Sequence, residues 1–359
     1  MPLINSFNTH DFSLDVNPLN SRSSAPKSKL RPKWLRIIGW TSFFALIGFV
    51  AFGVISAVAY YTPSAADLPC RNVTGDARSV HVNGFDLYYR ELGTNNTHDP
   101  PIVILHGGPG HSSTSFKGGF DFLASQYHVV YYDQRGSGNS QILPDVSKYT
   151  IDQLVEELDT LRAIQVNADK IILVGHSFGG ALAQRYAIAH PEHVARLILV
   201  SSVSINNGIT VPWLWDVFSP ILFTFGAGFP PADPVAANEW FAKINYQTSI
   251  PRLYNQSTIS IIENSGYISF ATWREVSRSV EGLDYKSELE NLTIPALVTY
   301  GTADSSATGE SNAHALCSML SNCTLARFEK SGHWAFLEEP ANFHRVMLSF
   351  LNNTLVSSG

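Results

Sequence analysis

KIILVGHSFGG, Lys170 to Gly180, decides the fold. Ile171, Ile172, Leu173 and Val174 form a short apolar run rich in β-branched residues, which predicts a buried strand. Gly175-His-Ser177-Phe-Gly179 follows at once and fits G-x-S-x-G. A helical run then extends through Ala181 to His190 and stops at Pro191. Strand, sharp turn and helix are the context in which this motif raises a serine hydroxyl above a sheet. A tight turn needs glycine at 175 and 179, where a Cβ would strike the neighbouring strand or helix. The same turn aims the first amides of the helix at an oxyanion formed on Ser177.

Outward from this stretch, strands and helices alternate. Val80 to Arg90 carries an Asn83-Gly84 turn between alternating segments and reads as a β-hairpin. Pro101–Leu105 is a strand, followed by the loop His106-Gly-Gly-Pro-Gly110 and a helix over about 113–126. His128–Tyr132 is a strand ending in Asp133-Gln-Arg-Gly-Ser-Gly138, where Asp133 and Arg135 read as an ion pair shaping the turn. Leu154, Leu158 and Leu161 give 151–164 a helical period. Strands follow at 196–200, 294–300 and 324–328, with helices at 311–320 and 340–351. This alternation predicts an α/β fold with a mostly parallel sheet covered on both faces, over 79–203 and 284–359. Residues 204–283 break the pattern and are rich in aromatics; a bare loop of that length does not fit a compact domain. They are expected to form a helical cap inserted over the sheet.

Ser177 needs a base and a group to orient it. In this chain order an acid and then a histidine should follow the serine. Asp304 stands just past one predicted strand and His333 in the loop after the next, where ligands collect in open α/β sheets. Ser177, Asp304 and His333 are thus the candidate catalytic residues, with His333 as base and Asp304 as its orienting carboxylate. The oxyanion donors expected are the Phe178 amide and a glycine of the HGGPG loop, Gly108 or Gly107. His176 reads as a packed core histidine. A serine at 177 argues against dehalogenase or epoxide hydrolase chemistry, which uses an aspartate there.

The N-terminal region is of another kind. Residues 1–36 are polar and are expected to form a disordered cytoplasmic tail, with six cations against two acids. That charge of +4 leaves −10 for the remainder of a chain whose net charge is −6, so nucleic acid is not an expected partner. Residues 37–61 carry no charge and exceed the ~20 residues that span a bilayer, with Trp40, Tyr60 and Tyr61 near the ends. The cations lie on the N-terminal side only, so the expected topology is a signal anchor with a cytosolic N-terminus, a linker at 62–78 and a lumenal or extracellular domain. Glycosylation sequons at Asn72, Asn95, Asn255, Asn291, Asn322 and Asn352 all follow the span. Three cysteines make no disulfide scaffold; Cys317 and Cys323 either pair or stay as buried thiols, and Cys70 is left over. No metal-ligand spacing and no cofactor motif is present.

HGGPG, Tyr132-Asp-Gln-Arg-Gly-Ser-Gly138 and Gly-His-Ser177-Phe-Gly-Gly together resemble the prolyl aminopeptidase (proline iminopeptidase) family of α/β-hydrolases, over roughly 79–351. The resemblance implies the α/β-hydrolase fold with its inserted cap, here preceded by one transmembrane helix. It implies removal of N-terminal residues, often proline, or related amidase activity on a small-molecule or short-peptide substrate. It also implies roles for Ser177, Asp304, His333, Gly108 and Phe178. Phe178 stands where family members often carry Trp or Tyr. The family's cap pattern Trp-x-x-Trp-Glu is met most nearly at Ile268–Glu275, which makes Glu275 the candidate partner of a substrate α-amine. A carboxylesterase or lipase with the same triad is the alternative, and a non-catalytic binding protein of this fold a third reading.

Overall fold

The structure, a computed structural model, describes residues 33–71, 75–94, 99–205, 212–262 and 266–352, without the side chains of 33–39 and 212–219. The predicted tail up to residue 32 and the sequons at Asn72 and Asn95 lie outside the described residues.

The chain divides into two units, 1–50 and 51–359. Helix α1, Lys33–Tyr61, runs from the first into the second. Its segment Trp40–Tyr61 is long and apolar enough to cross a membrane.

The larger unit is built on a sheet. Its strands are β1 (Ala77–Val82), β2 (Phe85–Leu92), β3 (Ile102–Leu105), β4 (Val129–Tyr132), β5 (Ile171–His176), β6 (Val194–Val200), β7 (Ala296–Gly301) and β8 (Cys323–Phe328). The order is β1-β2-β4-β3-β5-β6-β7-β8; β1 and β2 pair antiparallel, and everything from β4 onward is parallel. β1 and β2 form the hairpin, with Asn83 and Gly84 both at positive φ as a primed two-residue turn requires. β3, β4 and β5 are buried along their whole lengths, which is why their sequences do not alternate.

Helices α2 (Ile151–Leu161) and α3 (Phe178–Ala189) help cover one face of the sheet, and their Leu154, Leu158, Leu161, Leu182 and Tyr186 join a core cluster with Val103 and Leu173. The other face carries Phe116, Phe120, Phe336, Phe343 and Met347 against Ile104, Val174 and Leu297. Burying a Leu or Phe side chain contributes about 1.5–3 kcal/mol, so these two layers supply most of the stabilisation. The helix expected over 113–126 is instead two 3₁₀ turns, Ser113–Phe116 and Asp121–Ser125. Lys117 takes a left-handed conformation and Gly118-Gly119 follows it, which stops α-helical propagation between them.

Between β6 and β7 the chain runs through helices α4 (Pro212–Ala227), α5 (Pro234–Ser249), α6 (Ile259–Ile262) and α7 (Phe270–Ser279). Asp233 caps α5 through Ala236 N–H, and Ser269 caps α7 through Thr272 N–H. Phe223, Trp240, Phe241, Phe270 and Trp273 cluster within these helices, and Tyr60 of α1 joins them. The remaining helices are α8 (Lys286–Glu290), α9 (Glu310–Met319), α10 (Ala335–Glu338) and α11 (Pro340–Leu351). Cys317 on α9 is disulfide-bonded to Cys323 on β8, and Cys70 is free.

Candidate active site

Four loops at the C-terminal ends of β3, β5, β7 and β8 meet over the sheet. β3 and β5 are neighbours, yet the chain leaves β3 toward β4 on one side and returns to β5 on the other. That reversal opens a crevice at the strand ends.

Ser177 caps α3 with φ 55° and ψ −120°, a region that costs a non-glycine residue about 1–3 kcal/mol. Three backbone bonds hold it there: Ser177 N–H donates to Val200 O, and its own carbonyl accepts from Gly180 N–H and Val203 N–H. Packing leaves no alternative for the flanking glycines. A Cβ on Gly175 would stand 2.3 Å from Gly179 O, and one on Gly179 would stand 2.2 Å from Leu105 O. Phe178 is the first residue of α3, so its amide belongs to the free N-terminal end of that helix.

The HGGPG loop lies against this turn. A Cβ on Gly107 would be 2.9 Å from the Ser177 Cβ, and Gly108 sits at φ 120°. The loop is locked from beneath by His106. Its Nε2 accepts from Gln134 N–H at 3.0 Å, which leaves Nδ1 to donate to Gly107 O at 2.9 Å. That neutral state agrees with burial, which pushes His106 below the ordinary histidine range.

Asp304 follows β7 and His333 follows β8. His333 Nδ1 is 2.7 Å from Asp304 Oδ2, and both side chains are almost fully buried. Thr308 Oγ1 donates to the same oxygen, while Ser306 donates to Oδ1 through its amide and hydroxyl. Arg252 Nε stands 3.6 Å from Oδ1. Burial alone would raise the Asp304 carboxyl; the His333 bond, the charges of His333 and Arg252 and the Ser306 bond hold it well below the usual carboxylate range. Burial, and after it the Arg252 charge, pushes His333 down to about 4, against the pull of Asp304. His333 N–H donates to Arg252 O at 2.8 Å, and its carbonyl accepts from His176 Nε2 at 2.9 Å. His176 therefore fixes the His333 loop from below.

Ser177, His333, Gly107 and Gly108 line one cavity of about 90 Å³. Its roof is α5, through Ala242, Asn245, Tyr246 and Ser249. His111 and Arg252 complete the wall near the reacting groups. His111 directly follows the HGGPG loop, which is the signal that could have found it, whereas Arg252 carries no motif and is delivered by the fold alone. Burial, with the nearby charges of His106, Arg252 and His333, pushes His111 down to about 3, so it is neutral.

Two sequence expectations need correction. Glu275 is not at this cavity: its carboxylate is 2.7 Å from Arg274 Nε, and Arg274 in turn donates to Tyr60 O and Pro63 O at the foot of α1. The acid completes a strut between α7 and the end of the apolar helix. Among the described residues lining the cavity there is no Asp or Glu. Asp133 and Arg135 do not pair with each other. Asp133 accepts from Ser113 N–H and Asn139 N–H, whereas Arg135 pairs with the wholly buried Glu157 of α2 at 2.8 Å. Burial raises Glu157 to about 7 even beside Arg135. The described sequon asparagines, Asn255, Asn291, Asn322 and Asn352, are all exposed. No three His, Cys, Asp or Glu among the described residues converge on a point that would hold a metal ion.

A family profile described as alpha/beta hydrolase fold matches residues 100–340. The proline iminopeptidase of Heyndrickxia coagulans is 31% identical over 296 residues, covering 76% of this chain and 98% of the relative. The proline iminopeptidase of Saccharolobus solfataricus is 28% identical over 305 residues, covering 77% and 92%. Among solved structures, an enol-lactonase from Burkholderia xenovorans superposes with a TM-score of 0.62 at 20% identity, over 77% of this chain and all of that one. A thermophilic esterase from Thermogutta terrifontis gives 0.62 at 20% identity, over 79% and 100%.

Proposed function

The chain belongs to the α/β-hydrolase family and, within it, to the proline iminopeptidases, and on that premise we propose that it is a serine hydrolase working through Ser177, His333 and Asp304. The observation that carries this reading is the 2.7 Å His333–Asp304 contact over the cavity that Ser177 and His333 share. With Nδ1–H given to Asp304, Nε2 is the free nitrogen, and a histidine pushed down to about 4 is an unprotonated base at neutral pH. His333 takes the hydroxyl proton as Ser177 Oγ attacks the substrate carbonyl carbon. The oxyanion is met by the Phe178 and Gly108 amides. Collapse breaks the scissile bond, and His333 returns the proton to the leaving amine or alcohol. Water repeats the sequence to free the acyl-enzyme.

The substrate we propose is a short peptide or amide whose N-terminal residue, of the proline type, becomes the acyl group. The small roofed cavity supports a single residue over an extended chain. A second reading, an acyl ester substrate, is favoured by one observation. An α-ammonium group needs a carboxylate partner when buried, and the described cavity wall carries none, while Arg252 is a cation within it. Turnover of a prolyl anilide, its N-acetyl derivative and a short acyl ester separates the two. Preference for the free amine supports the aminopeptidase, preference for the ester moves the assignment to the esterase, and preference for the N-acetyl anilide would overturn the free-amine requirement in favour of an amidase.

The same reading makes Trp40–Tyr61 an uncleaved anchor that holds the catalytic unit on the lumenal or extracellular side. The cations before the span support this, as do the exposed sequon asparagines and the Cys317–Cys323 disulfide, a bond of oxidising compartments.

A further inference from the structure

Helix α4 ends in an apolar surface that the fold leaves uncovered. Phe225 is 82% exposed, Leu222 67% and Phe229 48%. From Val217 to Ala232 the chain carries no charged residue. This surface continues that of α1. The Phe225 and Phe229 rings lie 6.0 and 6.1 Å from the ring of Phe52, and Phe223 meets Tyr60 at 5.6 Å. Ile221 Cδ1 occupies the space over Gly53, 3.2 Å from where a Cβ would stand. Residues 52, 53, 56 and 60 share one helix face, and Ser56 on it is fully buried. Gly53 and Ser56 let the helices approach closely, as small residues do for helix pairs in lipid. Val54, Ile55 and Val58 of α1 are exposed.

We propose that the C-terminal end of α4 and the turn after it, Leu222 to Phe229, are immersed in the bilayer that α1 crosses, so that the cap is seated on lipid. The proposal rests on the anchor reading above. Depth can be estimated from the sequence. The uncharged run Ile37–Tyr61 is about five residues longer than the ~20 a bilayer core requires, so Tyr61 stands between ~0 and ~7 Å above the hydrocarbon boundary. Phe52 precedes Tyr61 by nine residues, ~13 Å along the axis, and so lies about 6–13 Å below that boundary. Phe225 and Phe229, in contact with Phe52, share its level. Interfacial helices bury their apolar faces to a comparable ~5–10 Å.

The turn after α4 suits such a place. Backbone groups in hydrocarbon must be paired internally. Gly228 N–H donates to Thr224 O, Ala227 O accepts from Trp240 Nε1, and Pro230 and Pro231 bring no N–H. On its far side α4 packs against α5, with Phe223 and Trp240 5.4 Å apart. The lipid-seated element thus bears directly on the helix that roofs the Ser177 cavity.

The test uses the full chain in phosphatidylcholine nanodiscs, on a Cys70→Ser background, with an environment-sensitive fluorophore at Phe225→Cys. Val54→Cys reports the span, and Lys286→Cys reports water. We expect nitroxide-bearing lipids to quench the labels at 225 and 54 several-fold more than iodide does, and the reverse at 286. Iodide quenching at 225 with lipid quenching at 54 overturns the immersion and leaves the anchor standing. Protection of 225 from both quenchers overturns it in favour of contact with a second copy of this chain. Iodide quenching at 54 overturns anchor and immersion together.

Discussion

At residue scale the reactivity proposed for Ser177 rests on the protonation of one buried imidazole. His333 is pushed down to about 4, chiefly by burial and then by Arg252. The kcat/KM profile should therefore stay flat from pH 7 to about 5 and fall close to tenfold per unit below 4. Stability moves the same way. A histidine whose folded pKa lies below its unfolded value near 6.5 contributes stability that is present above 6.5 and lost as pH falls toward 4. An acid limb near 7 instead would mean that Asp304 dominates over burial. Ser177→Ala, Asp304→Asn and His333→Ala should each lower kcat by several orders of magnitude, and the double variant Ser177→Ala/His333→Ala little further, because the groups act as a unit. Additive losses in steady-state kinetics would contradict that. Ser177, Asp304 and His333 are legible in sequence because each sits at a strand end that the apolar runs announce. Glu275 was misleading for a reason of the same kind: a local pattern picked it, and its partner Arg274 directs it elsewhere. Arg252 belongs to no pattern and reaches the cavity only through folding, while His111 is marked only by adjoining the HGGPG loop.

At the scale of elements, the turn after β4 is braced by a wholly buried ion pair. Arg135 Nε donates to Glu157 Oε2 at 2.8 Å, Arg135 N–H donates to Oε1, and the guanidinium lies 4.5 Å over the Phe85 ring. Removing one partner strands the other charge in the core. Glu157→Gln should thus cost about 3–5 kcal/mol, read as a lowered denaturant midpoint with unchanged slope. A loss below ~1 kcal/mol would mean that water reaches Arg135. The spacing already places Glu157 inward, three residues after Leu154 and four before Leu161 on the apolar face of α2. Its partner Arg135 is not legible, because only folding brings the turn after β4 onto that face. The helix expected at 113–126 failed for a local reason that was present in the sequence, the Gly118-Gly119 break behind a left-handed Lys117. Strands β3, β4, β5 and β7 were legible because burial on both faces writes itself as continuous apolar runs.

At the scale of the whole molecule, an apolar helix precedes an α/β-hydrolase unit that carries exposed sequons and one disulfide. In microsomes, added protease should digest the N-terminal tail and spare the catalytic unit, which should also lose mass on endoglycosidase treatment. Digestion of the catalytic unit in intact vesicles would reverse the orientation. The central claim is that Ser177 is a nucleophile activated by His333, and covalent capture tests it most directly. The membrane-reconstituted full chain is treated with a fluorophosphonate, and its peptides are mapped by mass spectrometry. The account predicts one phosphonyl adduct, on Ser177, absent from Ser177→Ala and formed at least a hundredfold more slowly in His333→Ala. An unlabelled Ser177, or labelling at the same rate without His333, would contradict it.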